Sequence, residues 1–251
     1  MNTVTLGILG GLGPMSGIYF CEMLTAHTRA ATDQEHIDFL LSSKATTPDR
    51  TDYILGRSAS NPASAMTTEV DKLIRAGANL IAIPCNTAHY FYDTIVQRSS
   101  VPVINIIDQT VEFCRRQGLR RIGVLATEGT VASGAYETAL LGAGLDYLTC
   151  PPEDQAVVSH IIYDQIKKGI SPDLDAFRQV ADRLRARGAQ TIILGCTELS
   201  LLKKEGNLSV GYIDSLEVLA CAAIRLCGKE PIDFDPILMN FHPTKGTFPC
   251  C

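Results

Sequence analysis

No apolar run in these 251 residues approaches the roughly eighteen that a membrane-crossing helix needs. No block of Lys or Arg occurs, and the net charge is −5, so neither nucleic acid nor an anionic membrane is an expected partner. No basic stretch precedes the first apolar segment, which runs straight into Gly10 and Gly11, so a secretory signal peptide is not expected. No C-x-x-C spacing exists among nine cysteines, which removes the paired pattern of most zinc and redox sites. The thiols are therefore expected to be reduced, in a cytoplasmic protein.

What is present is the composition of a globular chain with a real core: 46% hydrophobic residues, 20 glycines and only 20% charged residues. Seven short apolar, often β-branched segments read as buried parallel strands: 4–9, 37–41, 80–83, 101–104, 121–125, 191–194 and 210–213. Longer stretches of helical period separate them, such as the stripe Leu216, Leu219, Ala220, Ala223 and Leu226. Alternation of this kind argues α/β architecture with mainly parallel sheets.

The chain also resembles itself. Ala78-Asn79-Leu80-Ile81-Ala82-Ile83-Pro84-Cys85 matches Ala189-Gln190-Thr191-Ile192-Ile193-Leu194-Gly195-Cys196 at an offset of 111 residues. A basic amphipathic helix ending in Gly77 or Gly188 precedes each copy. Gly7-Ile8-Leu9-Gly10-Gly11 matches Gly123-Val124-Leu125-Ala126-Thr127 at an offset of 116. Two matched pairs in the same order predict a duplicated α/β half. The expected domains are 1–105, with 215–251 packing back on it, and 106–214. The proline-containing tail from Pro231 reads as an extended wrap or a loose end.

The matched cysteines carry the sharpest chemical signal. Each ends an apolar strand and precedes polar residues able to open a helix: Cys85-Asn86-Thr87-Ala88-His89 and Cys196-Thr197-Glu198-Leu199. In open α/β sheets ligands bind beyond the carboxyl ends of strands. A thiol at a helix N-terminus meets the positive end of the dipole, which lowers its pKa. Cysteine is otherwise most often a small buried hydrophobe, a reading that suits Cys21, Cys114, Cys221 and Cys227 in their helical stretches. It suits a matched pair at two strand ends poorly. Cys250 and Cys251, vicinal at the terminus, read as incidental.

Other motifs are weaker. The loop Gly10-Gly11-Leu12-Gly13-Pro14-Met15-Ser16-Gly17 is not the G-x-G-x-x-G fingerprint, and the second strand ends in Ser42-Ser43-Lys44 rather than an acid. Such a turn suits a small anion better than a dinucleotide, with Pro14 in the first helical turn. Arg50, in a loop beyond the second strand, and Lys167, near a helix end, are each read from sequence alone as solvated basic residues. A guanidinium there would also fork onto a carboxylate. His89 shares a helical face with Cys85 but lacks further partners, and reads as an ordinary helix histidine.

Together, G-I-L-G-G-L-G-P (7–14), P-C-N-T-A-H (84–89) and L-G-C-T-E-L (194–199) resemble the signature stretches of the aspartate/glutamate racemase family, its aspartate branch most closely. The resemblance spans Leu6 to about Leu226. It implies two pseudo-symmetric three-layer α/β domains with the active site in the cleft between them, commonly in a homodimer. It also implies racemisation of a small acidic amino acid with no cofactor, neither metal nor pyridoxal phosphate. Cys85 and Cys196 match the paired acid/bases. Asn86, Thr87, Thr127 and Thr197 match positions that hold the α-carboxylate and amino group. Arg50 and Lys167 match the aspartate branch's binders of the distal carboxylate, and Gly11 and Glu198 complete the expected binding set.

The glutamate branch carries a D-S-G stretch in its first loop and a histidine after its second G-C-T; this chain has Gly10-Gly11-Leu12 and Glu198. That departure argues against a cell-wall glutamate racemase, although aspartate and glutamate differ by one methylene and stay open. Rival readings are a single-thiol decarboxylase or cis–trans isomerase on the same scaffold, and a non-catalytic amino-acid sensor. Both cysteines being present weighs against the first, and α-hydrogen exchange would exclude the second.

Overall fold

In a computed structural model, residues 4–206, 208 and 210–244 are described. The first half runs β1 (Thr5–Gly10), α1 (Pro14–Ala26), β2 (Asp38–Ser43), α2 (Arg50–Ile54), α3 (Ala63–Arg75), β3 (Leu80–Ala82), α4 (Tyr92–Arg98) and β4 (Val103–Ile104). Helix α5 (Ile106–Arg116) leads into β5 (Arg121–Leu125), α6 (Glu128–Ala132), α7 (Ala135–Gly142), β6 (Asp146–Leu148), α8 (Pro152–His160) and α9 (Leu174–Ala186). Then come β7 (Thr191–Leu194), α10 (Thr197–Gly206), β8 (Tyr212–Asp214), α11 (Ser215–Leu226) and α12 (Pro236–Met239).

The strands form two four-stranded sheets, ordered β2-β1-β3-β4 and β6-β5-β7-β8, and every pairing is parallel. The two orders are the same topology written twice. The duplication extends to details. Gly77 and Gly188 end the helices before β3 and β7 at φ 107° and 97°, a conformation that side chains disfavour. Asn105 and Asp214 cap α5 and α11 by accepting from main-chain amides of the first turn.

Each sheet is covered on both faces. On one side, α3 and α4 meet the first sheet through Val70, Leu73, Ile81 and Ile95. Helix α9 meets the second through Phe177, Val180 and Ile192. The opposite faces share one core, in which Leu6 and Ile8 of β1 join Val124 of β5, Cys114 of α5 and Leu219 and Ala223 of α11. Helix α11 is buried along most of its length because α5 and α1 both lie against it. Each fully buried Leu or Ile here contributes about 1.5–3 kcal/mol of transfer free energy.

The eighth strand, β6, is absent from the sequence-based expectation: Asp146-Tyr147-Leu148 is a partly exposed edge strand with a polar start. The expected segments 101–104 and 210–213 contract or shift to Val103–Ile104 and Tyr212–Asp214. The tail is bound as far as 244. Ile232 N donates to His27 O, Phe234 stacks on His27 at 4.2 Å, and Gln109 Nε2 donates to both Thr244 oxygens. Cys250 and Cys251 lie outside the described residues. Among the described residues no helix is long and apolar enough to cross a membrane.

Candidate active site

Cys85 and Cys196 stand at corresponding places, just past the carboxyl ends of the central strands β3 and β7. The segment after Cys85 is not a regular α-helix at first. It is a tight 3-10 turn, Thr87–Phe91, that becomes α4 only at Tyr92. Cys196 is followed directly by α10. Both cysteines are 5% exposed and line one narrow chamber.

Asn86 and Thr87 join Cys85 in its wall, with Leu12 from the first loop and Asp49, Arg50 and Thr51 from the turn after β2. Thr127, Tyr163, Lys167, Thr197 and Glu198 come from the other half with Cys196. Of the residues expected at the site, Gly11 alone is not in this wall. It lines an adjoining open mouth with Gly13, Pro14 and Ser16. Gly11 has φ 79°, and a Cβ there would stand 2.5 Å from the Lys44 backbone, so it lets two loops meet.

Both sulfurs donate hydrogen bonds. Cys85 Sγ donates to Leu12 O at 3.4 Å, and Cys196 Sγ donates to Glu198 Oε2 at 3.0 Å. The helix-start argument predicted lowered thiol pKa values; burial outweighs it. Burial pushes the Cys85 thiol up, while the Arg50 charge pulls it back and Glu198 adds to the rise. Burial also pushes Cys196 up, well beyond its ordinary value, with the adjacent Glu198 carboxylate adding and Lys167 opposing. The two thiols are therefore unequal: a guanidinium favours ionisation of one, and a carboxylate resists ionisation of the other.

Arg50 is not the solvated loop residue of the sequence-only reading, being 7% exposed. Nη1 donates to Pro48 O at 3.0 Å and Thr47 O at 3.4 Å, and Nη2 donates to Leu12 O at 2.5 Å. Three of its five N–H donors thus fasten the first two loops together. Nε is buried without a partner, and among the described residues no carboxylate pairs with this charge. Lys167 Nζ lies 3.9 Å from Glu198 Oε1 and 4.6 Å from the Tyr163 ring centroid.

Thr87, Thr127 and Thr130 meet hydroxyl to hydroxyl at 2.9–3.0 Å, joining the halves at the chamber wall. Asn86 is held on both ends of its amide: Tyr136 donates to Oδ1 at 2.8 Å, and Nδ2 donates to Ser215 Oγ at 3.0 Å. His89 meets neither thiol. Nδ1 bonds to Cys85 O at 2.9 Å, and Nε2 accepts from Ile106 N at 3.2 Å. These partners make it a neutral brace between the cysteine turn and the head of α5.

Leu12, Asp49, Thr51 and Tyr163 are wall residues that the sequence does not single out. Leu12 acts through its carbonyl, which no side-chain motif reveals. Tyr163 OH donates to Thr51 Oγ1 at 2.7 Å across the chamber. It sits in a π-turn, Ile161–Gln165, a local widening common near functional sites. The I-Y-x-x-I-K spacing around Lys167 was the available signal for it.

A protein-family model described as Asp/Glu/Hydantoin racemase matches residues 9–223. The chain is similar to the broad specificity amino-acid racemase RacX of Bacillus subtilis, 27% identical over 223 residues, covering 87% of this chain and 96% of that protein. It is similar to a glutamate racemase of Corynebacterium glutamicum, 30% identical over 186 residues, covering 69% and 63%. Among solved structures, Picrophilus torridus aspartate racemase superposes with a TM-score of 0.80 at 29% identity, covering 91% of this chain and 96% of that one. Glutamate racemase of Francisella tularensis, solved with D-glutamate, shares the fold at a TM-score of 0.64 and 20% identity, covering 90% and 81%.

Proposed function

This chain belongs to the Asp/Glu/hydantoin racemase family, and on that premise we propose that it interconverts the L- and D-forms of an acidic amino acid, aspartate foremost, between two thiols. The observation that carries the proposal is a single chamber lined by Cys85, Cys196 and a buried guanidinium that lacks an anion. A buried charge without a counterion is costly, and a substrate with a second carboxylate supplies one. Arg50 Nε and the remaining Nη2 hydrogen are the donors left for it, and Lys167 lines the same chamber.

In this reading one cysteine, as thiolate, takes the α-proton and becomes a thiol. The electron pair left on Cα delocalises into the α-carboxylate. The other thiol then gives its proton to the opposite face and becomes the thiolate, so the reverse reaction starts from the mirror arrangement. Asn86 keeps one amide hydrogen for the substrate after bonding Ser215. Hydroxyls of Thr87 and Thr197, already fixed in the wall, stabilise the developing charge. Cys85, with Arg50 favouring its ionisation, and Cys196, with Lys167 favouring its own, each serve as base for one enantiomer and acid for the other.

The test is loss of optical activity over a panel of L- and D-amino acids, followed by Arg50→Ala. Aspartate or glutamate should racemise and alanine should not, beyond a trace. Losing Arg50 should cost about 2–5 kcal/mol in kcat/KM for the acidic substrate, as for one side of a buried charge pair. Since Arg50 also fastens Leu12, Thr47 and Pro48, the decisive quantity is the acidic-to-alanine ratio. Equal loss on both substrates would reduce Arg50 to a loop fastener.

A further inference from the structure

We infer that Tyr136 and Ser215 are positioning residues that set the separation of the two cysteine turns; the inference rests on the two-thiol reading. Tyr136 comes from α7, and its ring lies against Gly195, where an added Cβ would come within 3.1 Å of Cε2. Its hydroxyl donates to Asn86 Oδ1 at 2.8 Å. One side chain thus touches the residue before Cys196 and the residue after Cys85. Ser215 makes a second bridge between the same turns. It donates to Leu194 O at 2.7 Å, two residues before Cys196, and accepts from Asn86 Nδ2 at 3.0 Å.

The proton pattern is consistent throughout. Burial pushes the Tyr136 phenol far up, so it keeps the proton that it donates to Asn86 Oδ1. Nδ2 then donates to Ser215, whose own hydrogen goes to Leu194. All three side chains are at most 2% exposed, and buried hydrogen bonds of this kind hold the two turns in one arrangement. Ser215 is itself anchored at the head of α11. There Asp214 Oδ1 accepts from Leu216 N at 2.9 Å and from Ser200 Oγ of α10 at 2.6 Å.

Inversion needs the second thiol at the opposite face when the first has taken the proton. A misplacement of about 1 Å can cost a factor on the order of 100. With a slack pair the carbanion waits longer for the second thiol, the first thiol has time to trade its hydrogen for solvent deuterium and give that back to the face it left, and exchange with retention gains on inversion. A tyrosine that merely filled the core would have no such effect.

The experiment follows single enantiomers of aspartate in deuterium oxide with wild type, Tyr136→Phe and Ser215→Ala. It measures deuterium gained by the unreacted enantiomer relative to inversion. This ratio does not depend on the fraction of enzyme that is folded. Tyr136→Phe keeps the ring against Gly195 and removes only the hydroxyl; Ser215→Ala leaves the Asp214 cap in place. Each variant is expected to lose about tenfold or more in kcat and to raise the exchange-to-inversion ratio several-fold. An unchanged ratio in both variants, whatever the rate, would overturn the inference. A wild type that inverts neither aspartate nor glutamate would instead overturn the racemase reading on which it rests.

Discussion

Burial raises the second thiol's pKa, and Glu198 raises it further. Its carboxylate accepts the Cys196 proton at 3.0 Å and opposes ionisation there, while Arg50 favours ionisation of Cys85. The proposed mechanism needs one thiolate and one thiol, so it predicts a bell-shaped kcat/KM profile. Its alkaline limb should report loss of the second thiol proton. Glu198→Gln removes the negative charge beside Cys196, stabilises its thiolate and should move the alkaline limb to lower pH. Rate-against-pH curves for both enzymes check this; a limb that stays put would separate Glu198 from Cys196 ionisation. At this scale the sequence was informative where chemistry resides in a side chain next to a motif. Cys85, Cys196, Arg50 and Lys167 come together as neighbours of one chamber. It was uninformative about Leu12, whose contribution is a carbonyl, and about Tyr136 and Asn86, which meet from fifty positions apart.

Turns, more than regular helices, position the chemistry. After β3 the chain enters a 3-10 turn, and His89 braces it from within. The expected shared face of Cys85 and His89 failed because it assumed α-helical spacing. Burial lowers the His89 pKa from 6.5 to about 4. The imidazole thus stays neutral in the fold, while the unfolded chain takes up a proton near 6.5. Between those values the unfolded chain binds more protons, so the fold loses about 3 kcal/mol as pH falls from 6.5 to 4. The stability advantage of wild type over His89→Gln should therefore shrink across that window in denaturant titrations. A difference independent of pH would contradict the brace. Strand β6 escaped notice for a related reason: three half-exposed residues at a sheet edge carry no apolar pattern. The strands β1, β5 and β7, buried on both faces, were legible within a residue or so.

The whole molecule is one topology used twice, with the helix pair α5 and α11 in the middle and the two thiols at equivalent strand ends. The repeat offsets in the sequence carried that architecture, but they carried nothing about how the halves meet. Contacts made by unrelated residues hold them together: Tyr163 to Thr51, Arg57 to Glu128 at 2.8 Å, and Gly129 against Thr51, where a Cβ would come within 2.7 Å of the Thr51 hydroxyl. Duplication explains why a two-faced reaction suits this fold. Each half contributes one thiol to the chamber wall, and in the proposed mechanism a planar carbanion between them is approached from both sides. The most direct test is the first turnover of L-aspartate, and separately of D-aspartate, in deuterium oxide by wild type, Cys85→Ser and Cys196→Ser. The account predicts that wild type inverts both enantiomers, with deuterium at Cα of the product and hydrogen kept in the unreacted substrate. It predicts that neither variant inverts at more than about a hundredth of that rate. Product that keeps its original α-hydrogen, or inversion that survives loss of either thiol, would contradict it.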